Sequence, residues 1–312
     1  MGGPVTVSTS ARRARVRVTG AASTAVRPVL EAQRRPARVL AAFPAGVYLE
    51  VRTEAEPSVI AVITGEATRL PNSVLLAGPL PAVTVGDDAS VGDRVIDLGP
   101  LSLSVRRWWD PAPPLGRLDP ALLDDGLPKD PPGAGLAGNG AVDMLASSCA
   151  KGWLLGAVTA AEQLVGLGPG LTPSGDDVLA GLLVTLRHLG VAAGCGRAVW
   201  LADWLAATVT FDARTRTTPI SATLLHCAAR GEASPEVIAV LRGVAGRQPL
   251  EPALRRQALE PALRRPALEP ARRQALESAL RRLHRLGHTS GADLAQGIAI
   301  GVAAVRSLSG VR

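Results

Sequence analysis

Two patterns of apolar and polar positions meet near residue 115. Before it, short runs of valine, isoleucine and leucine alternate with turns that contain glycine, proline and aspartate. Four such runs are RVLAAFPAGVYLEV, SVIAVITGE, SVLLAGPL and RVIDLGPLSLSVRRWW. Short apolar runs bounded by turn residues are typical of β-strands. We therefore expect a β-rich N-terminal part, residues 1–114, that forms a small antiparallel sheet or barrel.

The rest of the chain has a helical pattern. A proline- and glycine-rich connection, residues 115–140, comes first, and such a segment either follows the surface or reaches a site. Alanine- and leucine-rich stretches with helical periodicity follow in residues 141–312. They lie near residues 141–165, 174–190, 196–209, 219–229, 234–245 and 292–308. The predicted fold is α+β, with a β-rich N-terminal part followed by a mainly helical C-terminal part.

Residues 250–285 form a tandem repeat with a period of nine residues: LEPALRRQA, LEPALRRPA, LEPARRQA and LESALRRLH. The segment holds nine arginines and four glutamates, so it carries +5 of the net charge of +7. Its prolines would interrupt a continuous helix, which favours a repetitive surface insertion. The chain has only 5 Trp, 1 Tyr and 2 Phe for base stacking. The basic charge therefore does not indicate nucleic-acid binding.

Several other classes of protein are excluded by the composition. No apolar run of about 18 residues or more is present, which argues against a membrane partner or a transmembrane span. The N-terminal segment lacks the apolar region of a secretory signal, so we expect a cytoplasmic protein. The three cysteines and four histidines show no metal-ligand spacing. A disulfide framework or a transition-metal centre is not expected.

A glycine-rich loop is the strongest local feature of the sequence. It reads Gly166-Leu-Gly-Pro-Gly-Leu-Thr-Pro-Ser-Gly-Asp-Asp177 and runs directly into an apolar helix. Glycine lets backbone N–H groups approach a ligand, and a helix start adds unpaired donors and the positive end of its dipole. The loop is therefore a candidate anion site. The alternative is a capped helix after a turn, in which the two acidic residues serve only the helix.

A second loop, Gly287-His-Thr-Ser-Gly-Ala-Asp293, repeats this design. The two loops share the pattern S-G-x-D-x-x-x-G-aliphatic, which matches Asp177 with Asp293 and Gly181 with Gly297. A glycine inside a helix is costly unless a neighbour packs closely against it. We expect two helices to approach tightly at their N-terminal ends, with both loops facing one pocket. Chance similarity of two helix caps is the alternative.

A polar segment between two apolar helices, residues 211–221, offers further candidates. Arg214 and Arg216 could clamp a carboxylate or phosphate through two hydrogen bonds each. The alternative is an ordinary loop with a helix capped at Thr218 and begun by Pro219.

The candidate residues fall into two sets. The catalytic candidates are Asp176, Asp177, Asp293 and His288. The candidates for binding an anionic substrate are Gly166, Gly168, Gly170, Thr172, Ser174, Gly175, Arg214, Arg216, Thr217, Thr218, Ser221, Thr289, Ser290 and Gly291. The residues specify no cofactor outright, but Asp177 and Asp293 could together hold Mg²⁺.

The strings GLGPGLTPSGDDVLAGLL, TTPISATLLHCAARG and LGHTSGADLAQGIAIG resemble the recurring motifs of a family that includes the AllH subunit of oxamate carbamoyltransferase. RLPNSVLLAG and WWDP extend the resemblance over most of the chain, although the basic repeats have no counterpart in the family. The resemblance implies a carbamoyltransferase subunit that moves a carbamoyl group between oxamate or oxalurate and phosphate, in allantoin and purine nitrogen breakdown. It also implies partner subunits, but it assigns no catalytic residue.

This reaction fits the candidate residues. Backbone donors at residues 166–170 and 287–291 could hold phosphate or carbamoyl phosphate, and an arginine could hold the carboxylate of oxamate. Such a transfer depends on positioning and oxyanion stabilisation, so it requires no nucleophilic side chain. Two alternatives stay open: a non-catalytic scaffold subunit, or an enzyme that acts on another small acyl phosphate or amide.

Overall fold

The computed structural model describes residues 15–123, 126–246 and 269–310. Residues 16–109 form a closed barrel of eight strands, and the residues from 140 onward are mainly helical. The predicted α+β fold, with its β-rich first part and helical second part, is confirmed. Within the described ranges, no helix is both long enough and apolar enough to cross a bilayer.

The barrel differs from the expected antiparallel arrangement in two places. Its strands are β1 (Val16–Ser23), β2 (Arg35–Phe43), β3 (Gly46–Val51), β4 (Val59–Ile63), β5 (Ser73–Leu76), β6 (Asp88–Gly92), β7 (Val95–Leu98) and β8 (Leu101–Trp109). They follow each other around the barrel in the order β1-β5-β4-β3-β2-β6-β7-β8. The pairs β1–β8 and β4–β5 are parallel, while the other pairs are antiparallel. A parallel pair needs a crossover instead of a hairpin turn, and apolar periodicity alone does not reveal one.

Alternating side chains of the strands fill the barrel. Leu49, Ile60, Ile96 and Leu103 are fully buried in this core. The period-two alternation of buried and exposed positions follows from the pleat of each strand.

The helices of the described residues cover all the stretches that the sequence indicated and add three that it did not, at residues 27–30, 213–216 and 269–283. They are α1 (Arg27–Leu30), α2 (Gly140–Lys151), α3 (Leu154–Leu164), α4 (Ser174–Ala193), α5 (Gly196–Phe211), α6 (Ala213–Arg216), α7 (Pro219–Ala229), α8 (Pro235–Val244), α9 (Glu269–Leu283) and α10 (Ser290–Leu308). The expected single helix at 141–165 is divided into α2 and α3, because Gly152 ends α2 in the left-handed conformation. Such a glycine is a common helix stop.

Helices α4 and α10 lie side by side with their N-terminal ends together. A Cβ on Gly181 would lie 2.3 Å from the carbonyl oxygen of Leu294, and one on Gly297 would lie 2.0 Å from that of Val178. These two contacts are reciprocal, because Gly181 corresponds to Gly297 and Val178 to Leu294 in the repeated motif. The predicted close approach of the two helices is confirmed.

The described end of the repeat segment differs from the expected surface insertion. Residues 250–268 lie outside the described part of the chain, but most of the remainder forms α9, which packs on α8. Leu276, Ala279 and Leu283 of α9 are buried. They are spaced three and four residues apart, so they form one apolar stripe that faces the core. Pro270 is accommodated because it stands in the first turn.

The barrel and the helices meet through α7. Ile220 of α7 packs with Ala41 and Val59 of the barrel. Val59 N also donates a hydrogen bond of 3.1 Å to Thr223 Oγ1. This contact places the N-terminal ends of α4 and α10 beside the barrel.

Candidate functional site

A cleft of about 430 Å³ separates the barrel from the helices. The barrel side is lined by Phe43, Ala45, Gly46, Tyr48, Ile63, Ala67, Thr68, Leu70 and Pro71. The helical side includes Leu171, Thr172, Asp177, Ala180, Ile220, Leu224, Glu232, Arg285, Leu286, Gly287, Ser290 and Leu294. A mainly apolar cleft with a few converging polar groups is the usual form of a small-molecule site.

The two loops that precede α4 and α10 meet at this cleft. Thr172 Oγ1 and Ser290 Oγ share a hydrogen bond of 2.9 Å. Ser174 Oγ and Thr289 Oγ1 share a longer one of 3.5 Å. Each bond joins one loop to the other, so the positive ends of two helix dipoles converge. The structure thus brings together the two motifs that the sequence placed more than a hundred residues apart.

Asp177 is the carboxyl group that enters the cleft. It is buried, and its Oδ2 atom has no hydrogen-bond partner within the described residues. Burial raises the pKa of Asp177 to about 8; a hydrogen bond from Ser290 opposes this rise, and the nearby charge of Asp293 adds to it. At neutral pH the Asp177 carboxyl is therefore protonated and can donate a hydrogen bond or a proton.

Asp293 lies beside Asp177 but faces the Pro/Gly-rich connection. Its Oδ1 accepts a hydrogen bond of 2.7 Å from Gly135 N. Its Oδ2 is buried without a partner in the described ranges, 3.5 Å from the position of a Cβ on Gly135. The two matched aspartates therefore have different surroundings, although the motif makes them equivalent.

Both carboxylate oxygens of Asp176 accept hydrogen bonds from other residues of the chain. Gly166 N donates to Oδ1 at 2.8 Å, and Ser221 Oγ donates to Oδ2 at 2.6 Å. The Thr217 hydroxyl donates to Oδ2 as well. Asp176 is not among the residues that line the cleft, and its bonds fix the glycine-rich loop to the start of α7. This geometry supports a positioning role.

Several glycines of the loops allow close backbone packing. A Cβ on Gly166 would lie 2.2 Å from Arg216 O, and one on Gly175 would lie 2.0 Å from Leu164 O. Gly291 repeats the second contact, because its Cβ would lie 2.0 Å from Leu283 O. Gly168 and Gly170 have φ angles of +116° and +96°, which favour glycine. The glycines thus shape the loops and bring the helix ends together.

Arg214 and Arg216 hold protein groups outside the cleft. Arg214 donates from Nε to Glu56 Oε1 at 2.6 Å and from a terminal nitrogen to Glu54 O at 3.1 Å. Arg216 donates to the carbonyl oxygen of Glu162 and lies 3.8 Å from Asp212. Neither guanidinium lines the cleft. Arg214 lines a different cavity, with Arg38 and Arg52. The expected contact of these arginines with a substrate carboxylate therefore stays a prediction.

The remaining candidates divide between helix capping and exposure. Thr218 caps α7 by accepting a hydrogen bond of 3.1 Å from Ser221 N, and it donates to Leu171 O at 2.5 Å. The alternative reading of Thr218 and Pro219 as a capped helix start therefore describes their geometry. His288 is exposed and is not among the residues that line the cleft.

Two residues at the site were not singled out from the sequence. Gly135 belongs to the Pro/Gly-rich connection, which does reach the site: a Cβ there would lie 2.2 Å from Ser174 Oγ. Arg285 lines the cleft, although the sequence presents it as one more basic residue of the repeat. The glycine-rich composition around Gly135 indicated that this segment could reach the site. No sequence signal distinguished Arg285 from the other arginines of the repeat.

The described residues contain no group of three or more histidine, cysteine, aspartate or glutamate side chains that could hold a metal ion. Asp177 and Asp293 provide two carboxyl groups, and one oxygen of Asp293 is taken by Gly135. A Mg²⁺ ion on this pair would need ligands from substrate or water. Its presence stays a prediction.

Comparison with known proteins finds a family model that matches part of the chain. The family model described as oxamate carbamoyltransferase subunit AllH matches residues 164–262. The matched stretch contains the glycine-rich loop and helices α4 to α8, and within it the resemblance seen in the sequence is confirmed. The barrel and the second loop lie outside the match. No curated protein and no solved structure matches the chain.

Proposed function

We propose that this chain is a subunit of a carbamoyltransferase, and that its cleft is where a carbamoyl group passes between oxalurate and phosphate. The match to the family of an oxamate carbamoyltransferase subunit supports the reaction, and the name implies partner subunits. The observation that carries the proposal is the buried carboxyl of Asp177, which lines the cleft and has one oxygen without a hydrogen-bond partner among the described residues. The metabolic setting is the breakdown of allantoin and other purine nitrogen.

The proposed reaction exchanges one bond for another. A phosphate oxygen attacks the carbamoyl carbon of oxalurate, so a C–O bond forms and the C–N bond to oxamate breaks. The products are carbamoyl phosphate and oxamate. The departing nitrogen must receive a proton, because an amide anion is a poor leaving group.

Asp177 is suited to supply that proton. Its pKa of about 8 keeps the carboxyl protonated at neutral pH. The residue lines the cleft, and its buried Oδ2 atom has no hydrogen-bond partner among the described residues. In the reverse direction the Asp177 carboxylate would take the proton back. The converging N-terminal ends of α4 and α10 favour the negative charge of phosphate and of the developing oxyanion.

The test is a variant of Asp177 in the intact assembly. The tagged chain is purified from its host with whatever subunits accompany it, and phosphate-dependent formation of carbamoyl phosphate from oxalurate is measured. Asp177→Asn keeps the shape of the side chain but removes its proton. We expect turnover to fall by at least about tenfold, which corresponds to about 1.4 kcal/mol.

Asp143→Asn is the matched control, because Asp143 is an exposed residue in the first turn of α2. It should retain wild-type turnover. If folded Asp177→Asn also retains it, Asp177 is not the proton donor. If the wild-type assembly forms no carbamoyl phosphate, the substrate is another amide or acyl phosphate.

A scaffold role is the second candidate function, and the outer face of α5 favours it. Trp200 and Trp204 of this helix are exposed, and Phe211 at its end is 91% exposed. A row of exposed aromatic side chains is a frequent feature of protein interfaces. If the accompanying subunits retain full activity after this chain is removed, the catalytic role of this chain is wrong.

A further inference from the structure

Arg285 occupies a fixed turn at the edge of the cleft. The turn joins α9 to α10, and Gly291 N closes it with a hydrogen bond of 2.9 Å to Leu286 O. Gly287 takes a φ of +61° in the same turn. The backbone of Arg285 is therefore held by contacts that do not depend on its side chain, and Arg285 lines the same cleft as Ser290, the first residue of α10.

The guanidinium of Arg285 has no hydrogen-bond or ion-pair partner within the described ranges. Its two neighbours on α9 do have partners: Arg281 lies 3.7 Å from Glu277, and Arg282 donates to Ser278 Oγ at 3.0 Å. Arg285 lines the cleft instead. A guanidinium left without a partner at the edge of a cleft can bind a carboxylate through two parallel hydrogen bonds.

The other charged side chains that line the cleft do not pair with Arg285. Glu232 is bound by Arg230, with distances of 3.1 and 2.8 Å between nitrogen and oxygen. Asp177 is uncharged at neutral pH because burial raises its pKa. Among the described residues that line the cleft, Arg285 is thus the charged side chain without a counter-ion.

We propose that Arg285 binds the carboxylate of the substrate and so selects small α-oxo acid amides, such as oxamate, over uncharged amides. This inference rests on the proposed function for the identity of the substrate. The apolar barrel wall favours neither charge, so the preference for an anion depends on this one guanidinium and on the converging helix ends.

The test compares two ligands that differ in one group. Oxamate carries a carboxylate where oxamide carries a second neutral amide. Binding of each is measured by titration calorimetry on the full chain with its accompanying subunits, for the wild type, Arg285→Gln and Arg285→Lys. Arg281→Gln is the control, because it removes an exposed arginine of the preceding helix, α9, that does not line the cleft.

We expect the wild type and Arg281→Gln to bind oxamate more tightly than oxamide. Arg285→Gln should lose at least about tenfold in oxamate affinity, with little change for oxamide. Arg285→Lys should recover only part of the loss, because lysine lacks the planar fork. A wild type without preference for oxamate, or an Arg285→Gln variant that keeps the preference, would overturn the inference.

The two proposals can fail separately. Carbamoyl transfer with an unchanged preference in Arg285→Gln would leave the proposed function standing and remove the role of Arg285. If no carbamoyl transfer occurs but carboxylate binding depends on Arg285, the role of Arg285 stands and the proposed function is wrong.

Discussion

Adjacent residues of the glycine-rich loop have different tasks. Asp176 and Asp177 share a type, a helix turn and deep burial. Both oxygens of Asp176 accept hydrogen bonds, from Gly166, Thr217 and Ser221. Asp177 lines the cleft, and one of its oxygens has no hydrogen-bond partner among the described residues. The difference arises because successive residues of a helix point about 100° apart, so only one of them can face the cleft.

The proton-donor role of Asp177 predicts the direction of a pH effect. Its pKa of about 8 lies well above the ordinary value of 3.8. A donor must be protonated, so kcat/KM for oxalurate cleavage should fall as the pH rises through about 8. The measurement is a pH profile between 6.5 and 9.5 at saturating phosphate, with the two bounds chosen about 1.5 units either side. A rate that is flat or rising across this range would contradict the role.

At the scale of elements, the pairing of α4 with α10 is the central contact. Gly181 of α4 contacts Leu294 of α10, and Gly297 of α10 contacts Val178 of α4. Further along the helices, Gly301 contacts Thr185. Glycine allows the two backbones to approach closely, and this approach sets the positions of the two N-terminal ends.

Gly297→Ala should therefore destabilise the fold. The new Cβ would lie 2.0 Å from the backbone oxygen of Val178, which cannot move without displacing α4. We expect a loss of at least about 1–3 kcal/mol in the free energy of unfolding, measured with urea. Gly196→Ala is the control: it also stands in a helix, but its Cβ would meet nothing within 4 Å. Equal stability of the two variants would mean that the helix pair tolerates a wider spacing.

The repeat segment shows a second element-scale effect. Its arginines suggested a surface element, yet Leu276, Ala279 and Leu283 bury one face of α9 against the core. Charge and burial are compatible here because a helix can keep its basic residues on the face opposite its apolar stripe.

At the scale of the whole molecule, the cleft exists because the barrel is fixed against the helices. Thr223 of α7 accepts a hydrogen bond of 3.1 Å from Val59 N and donates one of 3.1 Å to Glu56 Oε2. Arg214 strengthens the same junction through Glu56. Arg214, which the sequence suggested as a substrate contact, thus helps to hold the barrel against the helices.

Thr223→Val should weaken this junction without changing side-chain volume much. It leaves the buried N–H of Val59 without its partner, which costs about 1–3 kcal/mol. It also removes one hydrogen bond to Glu56 Oε2, which keeps its bond of 2.6 Å from Ser58 N. The free energy of unfolding in urea should fall by that amount. Thr208→Val, on the exposed side of α5, should change it by less than about 0.5 kcal/mol. If both variants match the wild type, the hydrogen bonds at Thr223 do not hold the barrel in place.

The sequence by itself determined the α+β order of the chain, the positions of the helices and the duplicated motif that brings α4 to α10. These features are local, because they follow from periodicity, turn residues and glycine spacing. Tertiary structure alone decided which aspartate lines the cleft, that Arg214 and Arg216 do not line it, that Arg285 does, and that Gly135 binds Asp293. Most of those outcomes depend on contacts between segments that are distant in the sequence, which no local pattern encodes.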